Sequence, residues 1–170
     1  MPRLHVCSLA RVAETVRETG ARTLVTLINI ETLVARPAEI DPQNHLFIGM
    51  SDISEPLDGH ILPAEQHVRQ LIDFAKSWDR NEPLVIHCHA GVSRSTAAAF
   101  IVACALTPSR PEAEIADAIR RASHTATPNR RMVAIADAML GRNGRMISAV
   151  ERIGRGSDCY EGVPFVLELT

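Results

Sequence analysis

A chain of 170 residues is long enough for one domain with a full core, and 46% apolar and 22% charged residues are the proportions of a globular protein. The net charge of −2 excludes the strongly basic face of a non-specific nucleic-acid binder and the polybasic anchor of a membrane-surface protein. The longest apolar run, Ala97 to Leu106, has ten residues and is too short to span a bilayer. Met1-Pro2-Arg3-Leu4-His5 lacks the apolar core of a signal peptide, so the expected setting is the cytoplasm. Cys7, Cys88, Cys104 and Cys159 are scattered, without the close pairs of a zinc site or the density of a disulfide scaffold.

In chain order, Leu4 to Cys7 reads as a first short strand, and Ser8 as the N-cap of a helix that runs to Thr19 and stops at Gly20. Thr23 to Ile28 is β-branched and apolar, a strand, and Leu46 to Met50 is the next. Ser51 to Leu62, with Pro56, Gly59 and several acids, reads as a loop. Pro63 is expected to open a helix whose Ala64, Val68, Leu71, Ile72 and Ala75 keep the helical period. Leu84 to Ile86 is aliphatic throughout, as a parallel strand covered on both faces is. A helix beginning at Ser95 is apolar all round and belongs in the centre.

Three amphipathic helices follow, marked by Ile115 to Ala122, Met132 to Leu140 and Met146 to Ile153. Phe165 to Leu169 reads as a final strand or a docked extension. Strands alternating with helices predict an α/β fold, with a mainly parallel central sheet of four to five strands flanked by helices, as a single domain over residues 1–170.

The chemistry concentrates in His87-Cys88-His89-Ala90-Gly91-Val92-Ser93-Arg94-Ser95, where a thiol and a guanidinium close the two ends of a loop between a strand and a helix. A loop entering a helix N-terminus offers unpaired N–H groups and the positive end of the dipole to an anion. Gly91 lets the backbone curl where a Cβ would interfere, and Arg94 can grip two phosphoryl oxygens with its planar fork. The same field favours a thiolate at Cys88, the nucleophilic form, and Ser95 is placed to hydrogen-bond the sulfur.

His-Cys-x-x-Gly-x-x-Arg-Ser resembles the signature of the cysteine-dependent protein tyrosine phosphatases, and Cys-x-Ala-Gly-Val-Ser-Arg-Ser resembles its dual-specificity branch. Pro128-Asn129, just before a late helix, is similar to a Pro-Asn element of that branch, and the resemblance covers roughly Leu46 to Leu140. It implies a parallel-centred sheet flanked by helices, no metal, no cofactor, and hydrolysis in two steps through a phosphocysteine. Carried over by position, it makes Cys88 the nucleophile and Arg94 the phosphate clamp. The amides of His89, Ala90, Gly91, Val92, Ser93 and Arg94 would form the cradle, Ser95 would assist the thiolate, and His87 and Asn129 would support the site.

The loop does not contain the acid that must protonate the leaving group. The family's is an aspartate about thirty residues before the cysteine, between a strand and a helix. Asp58 lies 30 residues before Cys88 and Asp58-Gly59 runs toward Pro63; Asp52 lies 36 residues before it but directly follows a strand. A rigid strand end places a proton donor better than a loop centre does, so Asp52 is put first, Asp58 beside it and Glu55 third. Extra residues between Asp52 and Pro63 would then be a local insertion.

Other residues receive plainer readings. His87 and His89 point to one face of an extended strand and Cys88 to the other, so no metal site is expected. Cys104 belongs to the core, Cys7 and Cys159 are ordinary thiols, and Arg130 and Arg131 are solvated. Trp78 and Tyr160 are read as packing residues. A lysine-free loop interior points to monophosphate esters on protein side chains rather than to phosphoinositides, and the lack of a basic balance argues against an RNA 5′-phosphate substrate. Sulfur transfer and a catalytically weak phosphoprotein-binding module are the competing readings. The partners expected are a phosphorylated protein and an oxyanion in the site, with no nucleic acid and no membrane.

Overall fold

The computed structural model describes residues 1–170. Five strands form one sheet in the order β3-β2-β4-β1-β5, comprising β1 (Arg3–Cys7), β2 (Thr23–Ile28), β3 (His45–Gly49), β4 (Leu84–His87) and β5 (Phe165–Glu168). The first four are mutually parallel, with Leu4 opposite Leu84, Thr26 opposite His87 and Val25 opposite Leu46. Only β5 runs antiparallel, on the outer edge of β1, with Val6 opposite Phe165.

Alternate side chains of the same strands go to two different cores, the direct result of the two-residue strand period. Leu4, Val6, Val25, Leu27, Leu84 and Ile86 join the large core. Leu24, Val85 and Cys7 join a small one with Val12 and Val16 of α1 (Val12–Thr19). On the large side, α3 (Arg94–Leu106) packs on β1, β2 and β4, and α2 (Glu65–Ser77) on β3. Helices α4 (Glu112–Ala122), α5 (Arg130–Met139) and α6 (Arg145–Ile153) form an outer layer. Nearly every residue of α3 is buried, which accounts for its lack of a polar face.

Four local expectations shift. Ser8 does not cap a helix: Leu9–Arg11 forms a 3-10 turn before α1, and the Ser8 hydroxyl donates instead to Glu161 Oε1 at 2.9 Å. Pro63 precedes α2 rather than opening it; Ala64 is the N-cap, and its N–H donates to His67 Nδ1 at 3.0 Å. Helix α3 begins one residue earlier than read, with Arg94 itself in its first turn. Tyr160 packs against nothing, being 99% exposed, whereas Trp78 is buried and donates from Nε1 to Glu82 O at 3.1 Å. Gly20 ends α1 as expected, in the left-handed region at φ 73°. No helix is long and apolar enough to cross a membrane.

Candidate active site

The parallel strands all end on one side of the sheet, where the loops that follow β1, β2, β3 and β4 meet. Residues 88–93 form the loop between β4 and α3. Its carbonyls are held from outside. Cys88 O accepts from His87 Nδ1 (2.9 Å), His89 O from Leu9 N (3.0 Å) and Ala90 O from Gly162 N (2.8 Å). Val92 O accepts from Thr127 N (2.9 Å), and Ser93 O from Ala97 N (3.0 Å) and Asn129 N (3.2 Å). The amides of His89, Ala90, Val92, Ser93 and Arg94 donate to no group in the protein, which leaves a set of donors at the N-terminal end of α3.

Gly91 makes this turn possible, at φ 75°. A Cβ there would lie 2.8 Å from the Cys7 carbonyl carbon and 2.9 Å from Ser8 N, backbone that cannot swing aside. The Gly91 N–H donates to Cys88 Sγ at 3.3 Å, and Ser95 Oγ lies 3.2 Å from the same sulfur. Cys88 is 2% exposed, so it forms the floor of the loop.

Arg94 is 7% exposed, yet no carboxylate pairs with it. Its Nη1 donates to Asn29 Oδ1 (2.7 Å) and Met50 O (2.8 Å), both neutral, and its buried Nε has no partner in the protein. A buried guanidinium held only by neutral acceptors keeps its field for an anion. Asn29 directly follows β2 and Met50 directly follows β3. Two strands thus aim an arginine carried by the helix of a third.

A hydrogen-bonded chain on the α1 side of the sheet fixes the start of the loop. His87 lies wholly buried between Cys88 O and Thr26, whose Oγ1 is 2.8 Å from His87 Nε2 and 2.8 Å from His45 Nε2. With Nδ1–H donating to Cys88 O, His87 Nε2 accepts from Thr26, and His45 donates to Thr26 in turn. Burial pushes His87 down to about 4, so the ring stays neutral. Both its nitrogens are engaged, and neither remains for a metal.

The two candidate acids part here. Ser51 N donates to Ile61 O (2.9 Å) and Ile61 N to Ser51 Oγ (3.3 Å), pinching residues 52–60 into an excursion closed at its neck. Asp52 sits at that neck. Its Oδ1 accepts from Ser93 Oγ (2.7 Å) and from Asn129 Nδ2 (2.9 Å). Asp58 lies at the exposed tip, in the turn closed by His60 N to Leu57 O, and makes no bond to the loop. Glu55 is exposed on the same excursion. Asn129 also caps α5, accepting from Met132 N at 3.0 Å, so one amide side chain ties that helix to Asp52. Asp52, Ser93, Asn129 and Arg130 line a cleft of about 550 Å³ whose far wall is the end of α6.

None of the remaining cysteines hydrogen-bonds to the Cys88 sulfur, although Cys7 ends β1 with its carbonyl against Gly91. Burial raises Cys104 to about 12 and Cys7 to about 11, so both thiols stay protonated; Cys159 is exposed. The arrangement lacked several members when read as sequence. Asn29 carried a signal, a polar residue at the C-terminal end of a strand, where open α/β sheets bind ligands. Thr26, His45, Thr127 and Gly162 carried none.

Among solved structures, the chain is similar to the PTP-2 phosphatase of Cydia pomonella (TM-score 0.62, 20% identity, 79% of this chain and 84% of that one). It is also similar to a mouse putative dual specificity phosphatase complexed with zinc tungstate (TM-score 0.62, 14% identity, 88% and 86%). Human DUSP28 matches as well (TM-score 0.62, 16% identity, 82% and 94%). These likenesses establish the fold. No curated protein sequence matches it significantly. Residues 6–108 match the family model described as "Polymorphic toxin system, DSP-PTPase phosphatase", a stretch that holds the whole loop and more than half of the chain. The chain therefore belongs to the DSP-PTPase phosphatases of polymorphic toxin systems, and it is an enzyme of the protein-tyrosine/dual-specificity phosphatase type.

Proposed function

We propose that residues 1–170 form one catalytic domain that hydrolyses phosphotyrosine, and also phosphoserine and phosphothreonine, through a phosphocysteine on Cys88. The observation that carries this reading is Arg94: a buried guanidinium with neutral partners and an unpartnered Nε, beside a sulfur that accepts from Gly91 N and lies 3.2 Å from Ser95 Oγ. The Cys88 thiolate attacks phosphorus, and the bond from phosphorus to the leaving oxygen breaks. Asp52 gives its proton to that oxygen; its Oδ1 is held by Ser93 and Asn129, which leaves Oδ2 to carry the proton. Water then attacks phosphorus, Asp52 takes the water's proton, and the S–P bond breaks with Ser95 stabilising the departing thiolate. Arg94 and the free amides hold the equatorial oxygens, where charge collects in both steps.

The substrate class rests on the loop interior and its rim. His89-Ala90-Gly91-Val92-Ser93 has no lysine to hold a second phosphate, which supports monoesters on protein side chains. Ile30 and Leu33 after β2, and Leu57 on the excursion after β3, are exposed apolar residues on segments that leave the active side of the sheet, suited to an aryl group or a peptide. The four free cysteines fit a reducing compartment such as the cytoplasm.

The test is turnover of an aryl phosphate. Cys88→Ser should abolish it. Asp52→Asn should lower kcat and remove the basic limb of the pH profile, while Asp58→Asn stays near wild type. Vanadate or tungstate should inhibit competitively, which separates phosphoryl from sulfur transfer. Retained turnover in Cys88→Ser refutes the covalent route. Near-wild-type turnover in Asp52→Asn refutes that acid.

A further inference from the structure

The stretch between α6 and β5, residues 154–164, has no regular structure and lies outside the family match, which ends at residue 108. It nevertheless touches the phosphate loop. Gly162 N donates to Ala90 O at 2.8 Å, and Gly162 is buried. A Cβ on Gly162 would lie 2.9 Å from Gly91 O and 3.3 Å from both Ala90 O and Val92 Cγ2. Beside it, Glu161 Oε1 accepts from the buried hydroxyl of Ser8, whose neighbour Leu9 donates its N–H to His89 O at 3.0 Å.

The segment's other end reaches the loop indirectly. Gly156 N donates to Thr127 Oγ1 at 3.0 Å, and Thr127 N donates to Val92 O at 2.9 Å. Arg120 Nη2 holds Gly154 O at 2.7 Å, and β5 anchors the far end on β1. Three backbones are thus stacked at contact distance: the end of β1, the loop at Gly91, and this segment at Gly162. Each closest approach is allowed by a missing Cβ.

We propose that residues 154–164 are a strap that sets the shape of the phosphate loop, with Gly162 and Glu161 as positioning residues for the phosphatase reaction. This rests on the reading of the Cys88 loop as the cradle. By holding the Ala90 carbonyl outward, and through Ser8 steadying the segment that holds the His89 carbonyl, the strap keeps the intervening amides free for phosphate oxygens. A side chain at Gly162 would push directly on the Gly91 carbonyl, and next on that of Ala90.

The experiment compares the full chain with Gly162→Ala, Glu161→Ala, Glu161→Gln, Ser8→Ala and Cys88→Ser, measuring kcat and KM on p-nitrophenyl phosphate, Ki for inorganic phosphate, and the thermal midpoint. Gly162→Ala should lower kcat/KM by about ten- to a hundredfold and raise the phosphate Ki, as expected for a sub-ångström misplacement of the cradle. Glu161→Ala and Ser8→Ala should weaken phosphate binding by similar factors. Glu161→Gln should restore it, because its amide oxygen still accepts from Ser8. Wild-type kcat and Ki in Gly162→Ala overturn the proposal, as do Glu161→Ala and Glu161→Gln that both match wild type. If Gly162→Ala does not fold, the Glu161 pair decides. Turnover surviving Cys88→Ser would instead refute the cradle reading itself, whatever the strap variants do.

Discussion

Acidification isolates the histidine that holds the Cys88 carbonyl. Burial, with the charges of His45 and Arg94 adding to it, pushes His87 from its ordinary 6.5 to about 4, against the raising effect of its bond to Cys88 O. In the unfolded chain the ring titrates normally. Between pH 6.5 and about 4 the unfolded state therefore takes up a proton that the folded state refuses. Stability present above that window is lost as the pH falls through it, and the loss levels off below about 4. At about 1.4 kcal/mol per pH unit, the loss is about 2 kcal/mol at pH 5 and about 3 kcal/mol at pH 4.

Urea unfolding of wild type and His87→Gln near pH 7.5 and near pH 5 measures this contribution. His5, His45 and His67 are also held down by burial and add to the wild-type slope, so the difference between the two proteins is diagnostic. Glutamine does not titrate. The variant's deficit near neutrality should shrink by about 2 kcal/mol at pH 5. Parallel stability curves for the two proteins would refute a neutral, buried His87.

Three further perturbations test other parts of the site and its frame. Arg94→Lys keeps the charge but cannot reach Asn29, Met50 and a phosphoryl oxygen together; kcat/KM should fall by about 10² to 10³, with a weaker phosphate Ki. Gly91→Ala meets both a positive φ and a backbone contact at 2.8 Å, so unfolding measurements should show a loss of about 2 kcal/mol or more, together with lost turnover. Glu112→Gln unpairs the buried Arg142, which holds Glu112 at 2.9 Å and the Cys104 carbonyl at 2.7 Å. Its unfolding free energy should drop by about 3 kcal/mol, while the folded enzyme keeps its kcat.

Local order in the chain was sufficient for the frame. The aliphatic run Leu84 to Ile86, the β-branched Thr23 to Ile28 and the glycine after Thr19 each carry their own period or stop, and the two strands and the C-terminal end of α1 lie within about a residue of their expected places. Helix α3 announced its central position by having no polar face. The two ends of the loop, Cys88 and Arg94, were legible for a different reason: chemistry that needs a thiol, a glycine and a guanidinium at set intervals leaves that spacing in the sequence. Ser8 misled because a serine before a helical run is a cap only if no better partner is near, and Glu161 is that partner.

By itself, then, the sequence determined the alternation of strands and helices and a loop between a strand and a helix with a cysteine at one end and an arginine at the other, because periodicity and short-range spacing encode both. Only the tertiary structure set Asp52 against the loop and Asp58 away from it, since the pinch between Ser51 and Ile61 joins residues ten apart and Asp52 is reached by Ser93 and Asn129 from far along the chain. It also supplied the partners of the loop: Asn29 and Met50 on Arg94, Thr26 and His45 behind His87, and Gly162 against Ala90. Such contacts join segments that share no local pattern. They come into being when four parallel strands end, and the antiparallel β5 begins, on the same side of one sheet and their connections close around a single helix N-terminus.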